Sequence, residues 1–91
     1  MDFDWDETKA KTNLQKHGIR FDTASSVFYD PLASVFEDED HASTEHREVI
    51  IGSSAGNQLL VVCFVERNSK VRLISARRAT ATERKEYEEN V

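Results

Sequence analysis

Gln58-Leu59-Leu60-Val61-Val62-Cys63-Phe64-Val65-Glu66 is the stretch on which the fold turns. Read as a strand, it puts Leu59, Val61, Cys63 and Val65 on one face and Leu60, Val62 and Phe64 on the other. Apolar side chains on both faces are expected only of a central strand covered on both sides, so this segment anchors the sheet.

The neighbouring segments build outward from it. Ser54-Ala55-Gly56-Asn57 reads as a hairpin turn, with strand character before it over Arg47 to Ser53 and, earlier, over Leu32 to Glu37. After Asn68-Ser69 comes a further strand, Lys70 to Arg77. Unbroken alternation there places Val71, Leu73, Ser75 and Arg77 on one face and Arg72, Ile74, Ala76 and Arg78 on the other. Short connections make these later strands antiparallel neighbours.

Toward the N-terminus, Asp2 to Trp5 alternates acid and aromatic, a short strand with Phe3 and Trp5 inward. Asp6 can cap a helix over Glu7 to His17 that Gly18 ends in the left-handed conformation. On that helix Ala10, Leu14 and His17 form the expected inward stripe, bordered by a polar stripe of Lys9, Asn13 and Lys16. A second short helix, about Asp22 to Tyr29, is capped by Asp22 or Thr23 and ended by Asp30-Pro31. Thr80-Ala81-Thr82-Glu83 has capping-box spacing and starts a last helix. The expectation is a single domain over residues 1–91, an α+β sandwich with a small antiparallel sheet packed by helices in the order β-α-α-β-β-β-β-α.

Ninety-one residues support a small core without staples or a large internal cavity. One cysteine, Cys63, forbids an intrachain disulfide and fits a reducing cytoplasm; among Val62 and Phe64 it reads as a small packing residue. No apolar run approaches the roughly 18 residues of a membrane span, and the acidic start is unlike a signal peptide. Cytoplasmic residence with no membrane contact is the expectation.

Charge is distributed unevenly. Residues 67–85 carry seven cations (Arg67, Lys70, Arg72, Arg77, Arg78, Arg84, Lys85) against one acid, Glu83, a balance of +6 in a chain of net charge −5. Residues 1–66 hold five cations and thirteen acids. A focused cation cluster marks where an anion can dwell, here a phosphate.

Arg67, Arg77 and Arg78 with Lys16 and His17 could gather at one rim of the sheet. Arginine forks suit phosphate oxygens and the charge that spreads over phosphorus when RNA is cut through its own 2′-hydroxyl. His17, with Glu83 next, is the candidate for the proton transfers, and the scheme needs neither metal nor cofactor. Lys9, Arg72, Arg78 and Arg84 are candidate RNA contacts. The bland readings stand beside these: a basic stretch can be a solvated face, and His17 can be a packing or dipole-pairing histidine. Tyr87 and Trp5 read as packing residues. Asp38, Asp40, His41, Glu45 and His46 hold metal-type ligands, but their spacing matches no dedicated site, and an acidic solvated loop or a surface for a basic partner is preferred. Phosphate-cradling glycine loops and nucleophile triads are absent.

Trp5-Asp6, Lys9, Asn13, Lys16-His17-Gly18-Ile19 and Phe21, then Ala24, Val27-Phe28 and Asp30, Arg47 with Ile51-Gly52, Arg72, Ile74-Ser75-Ala76-Arg77 and Ala79, and Glu83-Arg84 with Tyr87 form a set that resembles the BrnT family of bacterial toxins. The resemblance spans nearly the whole chain and implies a RelE-like fold. It also implies an endoribonuclease toxin that cuts RNA without metal and arrests growth. A cognate BrnA-type antitoxin is implied as the partner in a hetero-oligomer, with DNA contacted only through its ribbon-helix-helix portion. Functional weight falls on Lys16, His17, Arg77 and Glu83; Arg67 and Arg78 rest on charge alone. The alternative is a non-catalytic RNA- or protein-binding module, a decayed toxin or a regulatory partner.

Overall fold

In the computed structural model, which describes residues 1–38 and 46–89, β4 (Leu59–Arg67) is the middle strand of five. β5 (Lys70–Arg78) lies on one side of it and β3 (Arg47–Ser53) on the other; β1 (Asp2–Asp4) and β2 (Ser34–Glu37) form the two edges. β2 to β5 pair antiparallel, as the short turns require. β1 runs parallel to β5, so the sheet is mixed rather than purely antiparallel. The cause is the intervening chain, which crosses under the sheet and returns β1 and β5 to the same direction. At the tip of the β4–β5 hairpin, Asn68 and Ser69 take φ of 51° and 67°, the two positive values that let a two-residue turn match strand twist.

Both faces of β4 are covered. On one side Leu60, Val62 and Phe64 pack with Ile19, Phe21, Ala24, Val27 and Ile50, under α1 (Glu7–His17) and α2 (Phe21–Ser25). On the other, Leu59 and Val61 join Ile51 in a smaller cluster against Ala79 and Tyr87, under α3 (Ala81–Glu89). Trp5 and Phe3 are half-buried against the larger core, Trp5 meeting Phe21 edge-on at 5.8 Å.

α1 has the expected bounds. Asp6 Oδ1 accepts from the N–H groups of Thr8 and Lys9, and Gly18 closes the helix at φ 72° with its N–H on the Leu14 carbonyl. Its buried residue differs from the expected stripe, since Leu14 is 43% exposed and Asn13 only 5%. β1 covers β5 only over Lys70 to Arg72, leaving the rest of that edge to α1. Asn13 meets it as a strand would: its Oδ1 accepts from the Ala76 N–H at 3.0 Å, and its Nδ2 donates to the Ala76 carbonyl at 2.9 Å and to the Ile19 carbonyl at 3.0 Å. Leucine could satisfy none of these buried backbone groups.

The second helix starts earlier than expected, at Phe21, with no side-chain cap from Arg20. After Ser25 it tightens into a 3₁₀ segment, Ser26–Tyr29. There Ser25 and Ser26 hydroxyls donate back to the Asp22 and Thr23 carbonyls, competing with regular α-helical bonding. Phe28 from this segment packs edge-on against Phe64 at 4.9 Å.

Candidate active site

The position of Arg77 depends on one irregularity. Along β5, Leu73 pairs with Phe64 and Ser75 with Cys63, so Ile74 is an extra residue, a β-bulge. Unbroken alternation would keep Leu73, Ser75 and Arg77 on one face. Instead Leu73 and Ala76 both enter the larger core, and Ser75 and Arg77 turn to the α3 side, opposite Cys63 and Val61. The bulge moves Arg77 off the face that α1 and α2 cover.

Arg77 meets α3 there. Its Nη1 and Nη2 donate to Glu83 Oε1 and Oε2 at 2.8 and 2.9 Å. Glu83 Oε1 also accepts from the Thr80 N–H at 2.8 Å, and the Glu83 N–H donates to Thr80 Oγ1 at 3.2 Å, so the expected capping box forms. The arginine fork holds the Glu83 carboxyl down to about 2, and Arg77 is itself raised above its ordinary range by the same bonds. Glu83 is therefore ionised at neutral pH.

This pair borders a shallow cleft of about 300 Å³ between the sheet and α3, whose other walls include Phe36, Asp38, Cys63 and Ser75. Cys63 is half-buried and lines the cleft rather than being sealed in the core. Its Sγ lies 3.7 Å from Asp38 Oδ2; burial and the nearby carboxylate push the thiol up to about 11, which suits a protonated wall residue and not a nucleophile.

Lys16 and His17 line a second depression, also about 300 Å³, with Lys9, Thr12, Ile74 and Ser75. The two hollows share Ser75. The cations of α1 and the Arg77–Glu83 pair thus flank the outer half of β5 rather than entering one pocket.

The remaining candidates lie elsewhere. Arg67 sits at the hairpin tip opposite Lys70, six residues along β4 from Val61, the partner of Arg77. At strand rise this is roughly 20 Å, so Arg67 does not share the rim with Arg77; closeness across a sheet follows ladder register and not sequence proximity. Arg72 reaches Asp4 at 3.4 Å on the β1–β5 seam. Arg78 and Arg84 are exposed, and the Arg78 carbonyl accepts from Arg77 Nη1 at 3.3 Å. Of the acidic loop considered for metal, Asp40, His41 and Glu45 lie outside the described residues, whereas His46 is exposed and 3.5 Å from Glu37.

Ser75, Asp38 and Asn13 do not receive these roles from the sequence, although Asp38 stands in the acidic set considered for metal and Ser75 and Asn13 in the set that carries the resemblance. Ser75 had a signal, lying two positions from Arg77 in the same strand. Asn13 had a weaker one, an amide in the middle of a helix where it is disfavoured. Asp38 enters the sequence reading only through the acidic set considered for metal, which gives no sign of a cleft wall.

Tyr87 locks the far end of α3. Its hydroxyl donates to Asp30 Oδ2 at 2.6 Å, and that oxygen also accepts from the Ser53 N–H at 2.7 Å. Burial pulls Asp30 upward, yet these donors and the Leu32 N–H leave it below its ordinary value, while the carboxylate raises Tyr87 to about 12. Gly52 lets this knot close: a Cβ there would stand 2.9 Å from Ala33 Cβ and Val27 Cγ1.

A mixed five-stranded sheet with two helices on one face, a third on the other and an arginine clamped by a carboxylate at the border of a cleft defines a small α+β protein. The chain matches, over residues 5–83, the family model described as the ribonuclease toxin BrnT of type II toxin-antitoxin systems, and it belongs to that family. Its fold resembles the crystal structure of the Brucella abortus ribonuclease toxin BrnT, with a TM-score of 0.68 and 30% sequence identity over 88% of this chain and 97% of that one. No curated protein matches. A toxin of a type II system has an antitoxin as its partner. Among the described residues, no helix is long and apolar enough to cross a membrane.

Proposed function

We propose that this chain is a cytoplasmic, metal-independent endoribonuclease toxin that cuts RNA through the 2′-hydroxyl. The observation that carries the reading is Arg77, turned by the β5 bulge into an open cleft and oriented there by both oxygens of Glu83. In the reaction the 2′-oxygen attacks phosphorus and the bond to the 5′-oxygen breaks. One proton leaves the 2′-hydroxyl and another reaches the departing oxygen. Arg77 stabilises the charge on the phosphoryl oxygens, and Lys16 and Lys9 hold the neighbouring backbone from the adjoining hollow. His17 carries protons at that end. Glu83, ionised well below neutral pH, positions Arg77 and does not act as an acid. Arg67, distant from the cleft, serves at most as a remote contact for a long RNA. The neutralising partner is a BrnA-type antitoxin whose ribbon-helix-helix portion binds DNA. The test is incubation of the purified chain with defined RNA in EDTA, where fragments ending in 2′,3′-cyclic phosphate are expected.

One observation favours a second reading, a module that binds RNA without cutting it. Two of the guanidinium donors are already spent on Glu83, leaving fewer for phosphate. Such a module would hold RNA with steep salt dependence and release it intact after prolonged incubation.

A further inference from the structure

A phosphate in the Arg77 cleft needs hydrogen-bond donors, because its oxygens accept. Of the side chains that line the cleft, only Cys63, Ser75 and Arg77 carry a hydrogen to donate, the remainder being apolar groups and the carboxylates of Asp38 and Glu83. Cys63 turns its thiol to Asp38 Oδ2 at 3.7 Å. Arg77 has three N–H groups engaged already, two on the Glu83 oxygens and one on the Arg78 carbonyl. Ser75 differs from both: it is half-buried, and among the described residues no group bonds to its hydroxyl. Ser25, Ser26 and Ser53, by contrast, give theirs to backbone carbonyls.

Position singles out the same residue. Ser75 follows Ile74, the extra residue of the bulge, and shares the α3 side with Arg77, two positions on and about 7 Å along the strand. It also lines the hollow that holds Lys9 and Lys16. A phosphate over Ser75 therefore lies between Arg77 on one side and those lysines on the other. We propose that Ser75 is a further catalytic residue, its Oγ–H donating to a non-bridging oxygen of the scissile phosphate, an inference that rests on the ribonuclease reading above. As the 2′-oxygen attacks, charge grows on both non-bridging oxygens. The N–H groups that Arg77 still has free serve one of them and Ser75 the other, and both contacts strengthen as the charge develops. Ser75 neither gains nor loses a proton in this role. Being neutral, its hydroxyl adds a donor beside Arg77 without adding repulsion to it.

The test uses the full chain and a defined RNA in EDTA. Ser75→Ala is expected to lower kcat roughly 10²-fold, the usual cost of losing one donor to developing charge. KM should change less than about twofold, the pattern of a contact made chiefly in the transition state. Ser75→Thr keeps a hydroxyl, suits a strand and should recover most of the rate. The alanine variant should melt with wild type, since the hydroxyl has no internal bond to lose. Sulfur in place of one non-bridging oxygen of the scissile linkage reads the contact itself, because sulfur accepts weakly. One of the two sulfur diastereomers should slow wild type about tenfold more than it slows Ser75→Ala. Each protein is compared with itself on the oxygen and sulfur substrates, so a folding defect cannot imitate that result. Wild-type kcat in the alanine variant overturns the role, and so does a sulfur effect equal in both proteins for both diastereomers. Absent cleavage by the wild-type chain instead overturns the ribonuclease reading, and the role of Ser75 with it.

Discussion

Arg77 on β5 and Glu83 on α3 join through two parallel hydrogen bonds of 2.8 and 2.9 Å, and the same carboxylate caps the helix through the Thr80 N–H. α3 has no buried residue, so its hold on the sheet depends on this pair at one end and on Tyr87 with Asp30 at the other. One interaction therefore sets both the direction of the arginine fork and the seat of the helix.

Replacing Arg77 separates charge from fork geometry. Arg77→Ala should lower RNA cleavage on the order of 10²-fold or more, the usual cost of removing a donor to developing charge. Arg77→Lys should recover little, because an ammonium cannot span both Glu83 oxygens and keep a donor aimed into the cleft. Single-turnover rates on a defined RNA, with growth arrest in cells, check this. Wild-type rates in the alanine variant would sink the assignment.

Glu83 makes stability depend on pH in one direction. Its folded pKa of about 2 lies below its ordinary 4.5, so its contribution is present above pH 4.5 and is lost as pH falls toward 2. Glu83→Gln should be less stable than wild type at pH 7 by about 1 kcal/mol, the worth of a partly exposed charge-assisted pair. The difference should shrink steadily below pH 4.5. Denaturant titrations of both proteins across that range give the answer.

Asn13 is expected to be among the costliest polar positions to change. Asn13→Leu leaves the Ala76 N–H and C=O and the Ile19 C=O without partners in a buried seam, at about 3 kcal/mol in sum at the low end of the cost per group. For a domain of this size the melting temperature should fall by roughly 10–20 °C. Asn13→Asp should do no better, since it removes both Nδ2 donors and buries a charge.

The knot around Asp30 allows two graded substitutions. Gly52→Ala forces a methyl to 2.9 Å from Ala33 and Val27 and should cost about 1–3 kcal/mol by overpacking. Tyr87→Phe keeps the ring against Ile51, Leu59 and Val61 and removes only the bond to Asp30, so about 1 kcal/mol is expected. Because Tyr87 is raised to about 12 from 10, that bond is fully present below pH 10 and fades as pH rises toward 12. Thermal melts of both variants, with an alkaline series for Tyr87→Phe, check the order and the sign.

Local chemistry determined much of this protein. Asp6 and Gly18 bound α1 because capping involves only groups within a turn of each other, and the Thr80–Glu83 box marks α3 for the same reason. The doubly apolar run at Leu59 to Val65 marked the middle of the sheet, since both faces of that strand had to be covered. Tertiary structure alone decided where the chemistry sits. Period-two counting assumes an unbroken ladder, and the bulge at Ile74 breaks it, sending Arg77 to the face opposite Leu73. Helical periodicity ranked Leu14 above Asn13 for burial, but the unpaired edge of β5 required an amide. Arg67 and Arg77 are ten residues apart in a hairpin that carries them to opposite ends, a separation that a tally of charge along the chain cannot register. Neighbours within a turn fix the elements; register between strands fixes which side chains meet.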